Sequence, residues 1–218
     1  MHIKECYWII SKLEKFNVSE ISPVLDFGGS TLKYRTLEQP WLQNNFYKKL
    51  KNREIKILFA DLKKSDEVDL AGDIFDDNFL SLVKSKKFNC VFCCNFLEHV
   101  NDPQELIDRC MSLIPVGGIL VITVPHSYPY HRDPIDTLYR PNIKELSKLV
   151  KGNDIIDSEI ISTGSYRDHL KKNPLKIFRH LRFFFPFLGL EKWKRSNYKL
   201  KWLFTDFKVS CMIVRKSK

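Results

Sequence analysis

Apolar residues along the chain occur in short uninterrupted runs, separated by longer stretches with helical spacing. The runs at 24–27, 55–60, 88–95 and 119–124 have the composition of parallel strands that are covered on both faces. Helices are predicted near 78–86, 103–113 and 143–150, and further strands near 69–74, 155–162 and 207–215. This alternation predicts an α/β protein built around a mostly parallel sheet.

Three further features concern the ends of individual elements. Residues 3–16 predict an amphipathic helix with Ile3, Tyr7, Ile10 and Leu13 on its buried side. Pro40 interrupts 32–51, so we expect a short helix before it and a second from about 41 to 51. Pro125 is expected to end the strand that begins at 119.

The first predicted strand runs directly into a glycine turn. Val24, Leu25 and Phe27 are followed by Gly28 and Gly29. Ser30 or Thr31 can then cap a helix that begins near residue 32. A strand, a glycine turn and a helix N-terminus begin many nucleotide-binding units, because the free N–H groups face the ligand. Ordinary strand-to-helix turns share this pattern, so the turn alone leaves both interpretations open.

Charge is distributed unevenly over the 218 residues. The net charge is +10, yet residues 166–218 hold 15 Lys and Arg against 3 Asp and Glu, and the rest of the chain has a net charge of −2. We therefore predict one domain over 1–218 that carries a basic, aromatic insertion at about 166–204. A hydrophobic content of 44% excludes a disordered chain.

Composition also restricts the compartment and the metal chemistry. The chain has no apolar run of about 20 residues and no signal-peptide pattern at its start. Cysteines placed in apolar stretches indicate a reducing, cytoplasmic location. Cys90 and Cys93 have the spacing of half a zinc site, but no matching pair stands elsewhere, and we expect no metal.

Six motifs occur in a fixed order over residues 21–165. They are Val24-Leu-Asp-Phe-Gly-Gly29, Asp61 after the second strand, Gly72-Asp-Ile74, Asn95-Phe-Leu-Glu-His-Val100, Leu113-Ile-Pro-Val-Gly-Gly118 and Val124-Pro-His126. In this order they resemble the class I S-adenosylmethionine-dependent methyltransferases, in particular a small branch with a Leu-Glu-His-Val signature. The resemblance implies a Rossmann-like three-layer sandwich, with a mostly parallel seven-stranded sheet and an antiparallel final strand.

The resemblance also implies S-adenosyl-L-methionine as cofactor and a role for each matching position. The methionine part would lie beside Asp26, Gly28 and Gly29, and its methyl end beside Asn95 and Phe96. The ribose hydroxyls would donate to Asp61, and the adenine would contact Leu62, Asp73 and the backbone N–H of Ile74. Glu98 and His99 would support the loop that carries them.

The glycine motif departs from the usual pattern of the family. Ser30 and Leu32 stand where Asp/Glu-x-Gly-x-Gly-x-Gly has its last two glycines. An alternative is therefore a non-catalytic module, binding nucleic acid or membrane on a degenerate methyltransferase scaffold.

The long loop after the strand at 119–124 holds the candidate catalytic bases. Methyl transfer to a hydroxyl requires removal of a proton, and imidazole can accept it near neutral pH. His126 and His131 lie in this loop, which leaves the end of the sheet where ligands bind. The alternative is that both histidines only pack within the loop.

The insertion contains a segment, 174–195, in which aromatic and basic residues alternate at helical spacing. Leu175, Phe178, Leu181 and Phe185 share one helical face, with Lys and Arg off that face. Three interpretations stay open: a lid over the acceptor pocket, a peripheral contact with the inner membrane face, or a nucleic-acid contact. We expect the acceptor to be a small molecule or a glycan, including a lipid-linked sugar, and a nucleic acid is disfavoured.

Overall fold

A computed structural model describes residues 1–28, 31–130, 135–172, 175, 178 and 202–217. Within these ranges seven strands form one sheet in the order β3-β2-β1-β4-β5-β7-β6. The strands are β1 (Val24–Phe27), β2 (Ile57–Asp61), β3 (Leu70–Ala71), β4 (Cys90–Cys94), β5 (Ile119–Ser127), β6 (Asp154–Ser165) and β7 (Asp206–Arg215).

Helices cover both faces of this sheet. The α-helices are α1 (Ile3–Leu13), α2 (Val18–Ile21), α3 (Lys48–Asn52), α4 (Asp77–Lys84), α5 (Pro103–Ser112), α6 (Ile143–Leu149) and α7 (Tyr166–Lys172). Two wider π-helical turns lie before α3, at Tyr34–Glu38 and Leu42–Tyr47, and a 3₁₀ turn follows β4 at Leu97–His99. The interruption at Pro40 is thus observed where it was predicted.

The strand directions confirm the predicted fold. Strands β1 to β5 are parallel, whereas β7 is antiparallel to both of its neighbours, β5 and β6. β1 pairs with β2 on one side and with β4 on the other, so the chain reverses its direction of progress across the sheet at this point. In open α/β sheets the crevice at such a reversal, beyond the carboxyl ends of the strands, is where ligands bind.

Side chains of each strand alternate between two hydrophobic clusters, one on each face of the sheet. Along β4, Val91 and Cys93 join the cluster under α4, α5 and α6, whereas Cys90 and Phe92 join the cluster under α1 and α3. Alternation of this kind is what period-2 strand geometry requires. Cys90 and Cys93 therefore lie on opposite faces and cannot bind the same metal ion.

The buried face of α1 differs from the predicted one. Ile10 and Leu13 are buried as expected, but Ile3 and Tyr7 are about two-fifths exposed. The face against the sheet consists instead of Glu5, Cys6, Trp8, Ile9, Ile10 and Leu13. Contacts with β6 fix this rotation, because the Trp8 indole donates to Glu159 at 2.9 Å and Lys12 pairs with Asp157 at 2.9 Å.

The end of β5 also differs from the prediction. The strand continues through Pro125 to Ser127, with an irregularity in its pairing to β7 between these two residues. β4 pairs with β5 only as far as Thr123, so beyond that residue β5 has one neighbour. Proline is tolerated in such edge-like positions, where a missing N–H costs no ladder hydrogen bond.

No described helix is long and apolar enough to cross a membrane.

Candidate active site

The carboxyl ends of the parallel strands form a polar edge, which we call the C-terminal edge of the sheet. At its centre the chain turns after β1 at Gly28, whose φ of +69° is a conformation that favours glycine. The Gly28 N–H donates to the carbonyl of Ala60 in β2 at 2.9 Å. A Cβ here would meet no heavy atom within 4 Å, so the space beside the turn is open. Gly29 lies outside the described residues.

Two carboxylates stand at the ends of β2 and β3. Asp61 is the last residue of β2 and accepts from the Lys63 N–H at 3.1 Å, and the next residue, Leu62, is 67% exposed. Asp73 follows β3 and accepts from the Phe75 N–H at 2.9 Å. Each carboxylate retains acceptor capacity beyond this local turn, since an ionised carboxylate offers about four lone-pair sites.

Gly72 allows the turn after β3 to pack closely. A Cβ at Gly72 would come within 2.4–2.8 Å of the Phe79 ring, so only glycine fits there. The side chain of Ile74 is buried in the cluster under α4, α5 and α6, which fixes the backbone beside Asp73.

Asn95 and Phe96 leave the end of β4. Asn95 has a φ of +52°, and its N–H donates to the Thr123 carbonyl of β5 at 2.8 Å. The Phe96 ring packs against Phe27 with ring centroids 6.3 Å apart. Asn95 and Phe96, which were predicted to lie beside the methyl end of the cofactor, are thus held between the ends of β1, β4 and β5.

Glu5, from the first turn of α1, reaches the same place. Its Oε1 accepts from the Asn95 side-chain amide at 2.8 Å and from the Thr123 hydroxyl at 2.5 Å. Its Oε2 accepts from the His2 N–H at 2.9 Å. The carboxylate is fully buried. The His2 ring meets the Tyr128 ring edge-on at 5.4 Å, so the start of α1 also contacts the chain that follows β5.

Asp26 lies beneath the glycine turn, inside the face that α1 and α3 cover. It is 2% exposed and accepts from the Tyr47 hydroxyl at 2.7 Å. Burial raises the pKa of the Asp26 carboxyl to about 6, although the Tyr47 hydrogen bond and the nearby Arg35 charge act in the opposite direction.

Arg35 is the charged neighbour of Asp26 on this face, and its side chain is completely buried. Its guanidinium lies over the Phe59 ring, 3.7 Å from the centroid, and donates to Glu67 at 3.2 Å. Its Nε and NH1 groups have no hydrogen-bond partner within the described chain.

A separate set of polar contacts surrounds Glu98, in the turn after β4. Glu98 is buried, and burial raises the pKa of its carboxyl to about 8. Its carbonyl accepts from the N–H and the hydroxyl of Thr137, at 2.9 and 3.0 Å, and the His99 ring contacts the Ile135 carbonyl. These contacts tie the turn to the loop after β5.

The loop after β5 also contains an internal ion pair between Arg140 and Asp136. The Arg140 guanidinium donates to the buried Asp136 carboxylate at 2.6 Å. Both partners lie in the same loop, so the pair stabilises the loop's own conformation.

Of the two candidate bases, the structure describes only His126. Its Nδ1 faces the Pro141 carbonyl at 3.3 Å, and the same carbonyl accepts from the Ser210 hydroxyl at 2.7 Å. A proton on Nδ1 is therefore favoured, and Nε2 then keeps its lone pair. His131 lies outside the described residues, as does most of the segment 174–195.

Some residues that contact the C-terminal edge lie outside the six sequence motifs and were not predicted. Glu5, Arg35 and Tyr47 lie inside predicted helices and were not singled out from the sequence. One signal was available for Glu5, since a Glu three residues inside a helix start is a capping pattern. Nothing in the spacing of Arg35 or Tyr47 indicates contact with Asp26.

Two further observations concern the rest of the described chain. No group of three or more His, Cys, Asp or Glu side chains there is arranged to hold a metal ion. A cavity of about 480 Å³ lies between α5, α6 and Lys216, at the opposite edge of the sheet, and contains none of the residues above.

Comparison with solved structures identifies the fold. The chain resembles a candidate sarcosine dimethylglycine methyltransferase from Galdieria sulphuraria, with a TM-score of 0.58 and 13% identity over 97% of this chain and 84% of that one. It also resembles the N-methyltransferase NodS from Bradyrhizobium japonicum, solved with S-adenosyl-L-homocysteine, with a TM-score of 0.50 and 11% identity over 95% of this chain and 85% of that one. The cyclase SpnF gives a TM-score of 0.51 at 16% identity, over 92% and 78% of the two chains.

Similarity at the level of sequence is more local. A stretch of 50 residues is 34% identical to a ubiquinone biosynthesis O-methyltransferase of Psychrobacter cryohalolentis. It spans 23% of this chain and 20% of that enzyme. No protein-family model matches the chain.

Proposed function

The chain has the class I methyltransferase fold, and we propose that it is an S-adenosyl-L-methionine-dependent methyltransferase. The observation that carries the proposal is the convergence of Gly28, Asp61, Asp73 and Asn95 on four neighbouring strand ends around the reversal point of the sheet. A donor that contains a ribose, an adenine and an amino acid needs acceptors and free backbone groups spread over such a width.

Within this proposal each group at the edge has a binding task. Asp61 and Asp73 have acceptor capacity for the ribose hydroxyls and the adenine amino group, and the exposed Leu62 offers an apolar contact for the adenine. The open space at Gly28 lets backbone approach the methionine part. The cofactor supplies an activated methyl group on its sulfonium, so the protein mainly has to position the acceptor.

For the acceptor we propose a hydroxyl of a small molecule or glycan, including a lipid-linked sugar. His126 supports an O-methylation, because its Nδ1 contact leaves Nε2 able to take the hydroxyl proton. His131 would serve the same site from the loop beyond. NodS is an N-methyltransferase by name, so the acceptor atom is a proposal from this chain's own residues.

The basic, aromatic segment at 174–195 follows β6 and precedes β7 in sequence, and β6 ends and β7 begins at the C-terminal edge. We propose that it acts on the acceptor side, as a lid or as a peripheral membrane contact. Flotation with anionic liposomes at low and high salt separates these roles, because only a membrane contact gives salt-sensitive binding that is lost when 174–195 is deleted. Saturable binding to RNA would instead contradict both.

A second candidate is a protein without methyl-transfer activity on the same scaffold. Ser30 and Leu32 in place of two glycines favour it, and the similarity to the cyclase SpnF is a reminder that fold does not fix chemistry.

Titration calorimetry with S-adenosyl-L-methionine tests the proposal directly. We expect the wild-type protein to bind, and Asp61→Ala and Asp73→Ala each to lose roughly 1–3 kcal/mol, since each removes an acceptor that faces a ligand donor. Asp154→Ala is the matched control, because this exposed carboxylate begins β6 at the opposite edge. Thermal melts of all variants separate lost binding from lost folding.

Two outcomes would contradict the proposal. A folded wild-type protein that binds neither S-adenosyl-L-methionine nor its demethylated product would support the second candidate. Equal losses in Asp154→Ala and the two edge variants would show that the carboxylates do not mark the site.

A further inference from the structure

Glu5 is a buried acidic residue whose described partners all offer hydrogen-bond donors. Three donors point at its two oxygens: the Asn95 amide, the Thr123 hydroxyl and the His2 N–H. An ionised carboxylate can only accept hydrogen bonds, and this set of donors matches one. Within the described chain it forms no salt bridge, although it is fully buried. Burial of an ionised carboxylate without a cation is costly, even with hydrogen bonds.

Helix capping explains only half of this arrangement. Glu145 caps α6 in the same way, accepting from the Asn142 N–H at 2.8 Å through Oε2, and its side chain is exposed. Glu5 uses Oε2 for the same task, but its Oε1 bonds two residues at the ends of β4 and β5. A capping role requires neither burial nor these contacts.

The negative charge of Glu5 reaches its neighbours. Burial is the main cause of the raised pKa of the Tyr128 hydroxyl and of the Cys211 thiol, and the charge of Glu5 is the next cause for both groups. Tyr128 follows β5 and Cys211 lies in β7, so the field extends across the acceptor side of the edge. In the low-dielectric interior it is screened less than it would be at the surface.

We propose that Glu5 is a specificity-determining residue that makes the site favour a cationic methyl donor over its neutral product. This inference rests on the proposed function, because it takes the methyl end of the donor to lie beside Asn95. Asn95 is partly exposed and is held by Glu5, so the carboxylate acts across one hydrogen-bonded residue rather than by contact. The sulfonium is the only permanent cation at the centre of the donor, and it becomes a neutral thioether once the methyl group has left.

The test compares two ligands that differ by this one charge. In Glu5→Gln we expect the Kd for S-adenosyl-L-methionine to rise about 10-fold and the Kd for S-adenosyl-L-homocysteine to change less than about 3-fold. Sinefungin has an ammonium group near the position of the methyl sulfonium. Its Kd should therefore rise in Glu5→Gln, as the Kd of the methylated donor does. Titration calorimetry gives all three constants. Glu145→Gln has the same capping geometry at the start of α6 but no contact with Asn95 or Thr123, and it should change none of them.

The results distinguish a failed inference from a failed proposal. If the wild-type protein binds neither donor nor product, the methyltransferase proposal itself fails, and this inference fails with it. If the wild type binds both and Glu5→Gln weakens them by equal factors, Glu5 only supports structure and the inference is overturned.

If Glu5→Gln does not melt cooperatively, a second variant tests whether the charge of Glu5 sets the preference for the donor. Glu5→Asp keeps the charge but shortens the side chain, so it should not reach Asn95 and Thr123 together. Its ratio of the two affinities should stay within about 3-fold of the wild-type ratio, because the charge persists. A 10-fold fall of the ratio in Glu5→Asp would contradict charge as the cause.

Discussion

The C-terminal edge of the sheet and the face under α4, α5 and α6 bury their side chains in opposite ways. The face packs Leu, Ile, Val, Phe, Met and Cys against one another. The edge buries charged and polar groups within a few residues of the strand ends: Glu5, Asp26, Glu98, Thr123 and Asp136. Since buried polar groups stabilise a fold less than apolar ones, their concentration at one edge indicates that the edge is kept for chemistry.

The comparison predicts different consequences for substitutions in the two regions. Changes at the edge should alter rates, affinities and pH dependence, and changes on the face should alter the free energy of unfolding alone.

The largest expected effect is on the rate, at the edge. His126→Ala should slow methyl transfer about 10²–10⁴-fold, the usual contribution of a general base. The affinity for S-adenosyl-L-methionine and the melting temperature should stay unchanged, because the His126 ring bonds only the Pro141 carbonyl among described residues. The measurement is transfer of labelled methyl groups to a panel of polysaccharides and lipid-linked sugars. An unchanged rate on a panel member that the wild type methylates would remove His126 as the base.

On the apolar face the effect should be on stability. Leu106→Ala, in α5, removes a fully buried side chain and should lower the free energy of unfolding by about 2–5 kcal/mol. Leu82→Ala, in α4, is the matched control, because Leu82 is 51% exposed and should change stability by less than about 0.5 kcal/mol. Urea denaturation measures both. A change in the donor affinity of the folded Leu106→Ala protein would contradict the expectation that changes on the face alter only the free energy of unfolding.

A smaller effect, and one that depends on pH, is expected at Asp26. Burial raises the pKa of this carboxyl from 3.8 in the unfolded chain to about 6 in the folded protein. A raised pKa means that the folded state binds the proton more tightly, so its contribution is present below about pH 4 and is lost as the pH rises through 6. The loss amounts to about 3 kcal/mol.

Asp26→Asn cannot titrate, so its stability relative to wild type should increase by that amount between pH 4 and pH 7. The groups that face Asp26 are Tyr47, Arg35, the thiols of Cys6, Cys90 and Cys94, and the N-terminal amine of Met1. Burial raises the pKa of the phenol and of the three thiols, so none of these four groups is expected to lose a proton in this range. Asp154→Asn is the control, and parallel pH profiles of Asp26→Asn and wild type would contradict the shift.

The fold was predictable because it depends on short-range patterns. Continuous apolar runs identified the buried strands, and Asp102 followed by Pro103 marked the start of α5. The predictions failed where a distant partner decides the local structure. Strand β5 passes Pro125 because β7, more than 80 residues later, pairs with it, and α1 is rotated because Trp8 and Lys12 bond to β6.

The residues of the candidate site can also be divided into those that the sequence predicted and those that it did not. Gly28, Asp61, Asp73 and Asn95 follow strand ends, and strand ends can be located from sequence. Their assignment to parts of a cofactor stays a prediction. Glu5, Arg35 and Tyr47 reach the edge from helices, and their contacts depend on how those helices pack across the sheet. Helix period indicates which residues are buried, but not which strand end each will meet.

The ladder between β6 and β7 has a consequence for how this protein can diversify. It runs from the pair Asp154 and Arg215 to the pair Ser165 and Asp206, so both ends of the intervening segment are fixed side by side. For a flexible loop, each doubling of length between such fixed ends costs only about 0.6 kcal/mol. Evolution or an engineer can thus exchange or lengthen the chain between 166 and 205 as a cassette, and change what is brought to the site while leaving the sheet register intact.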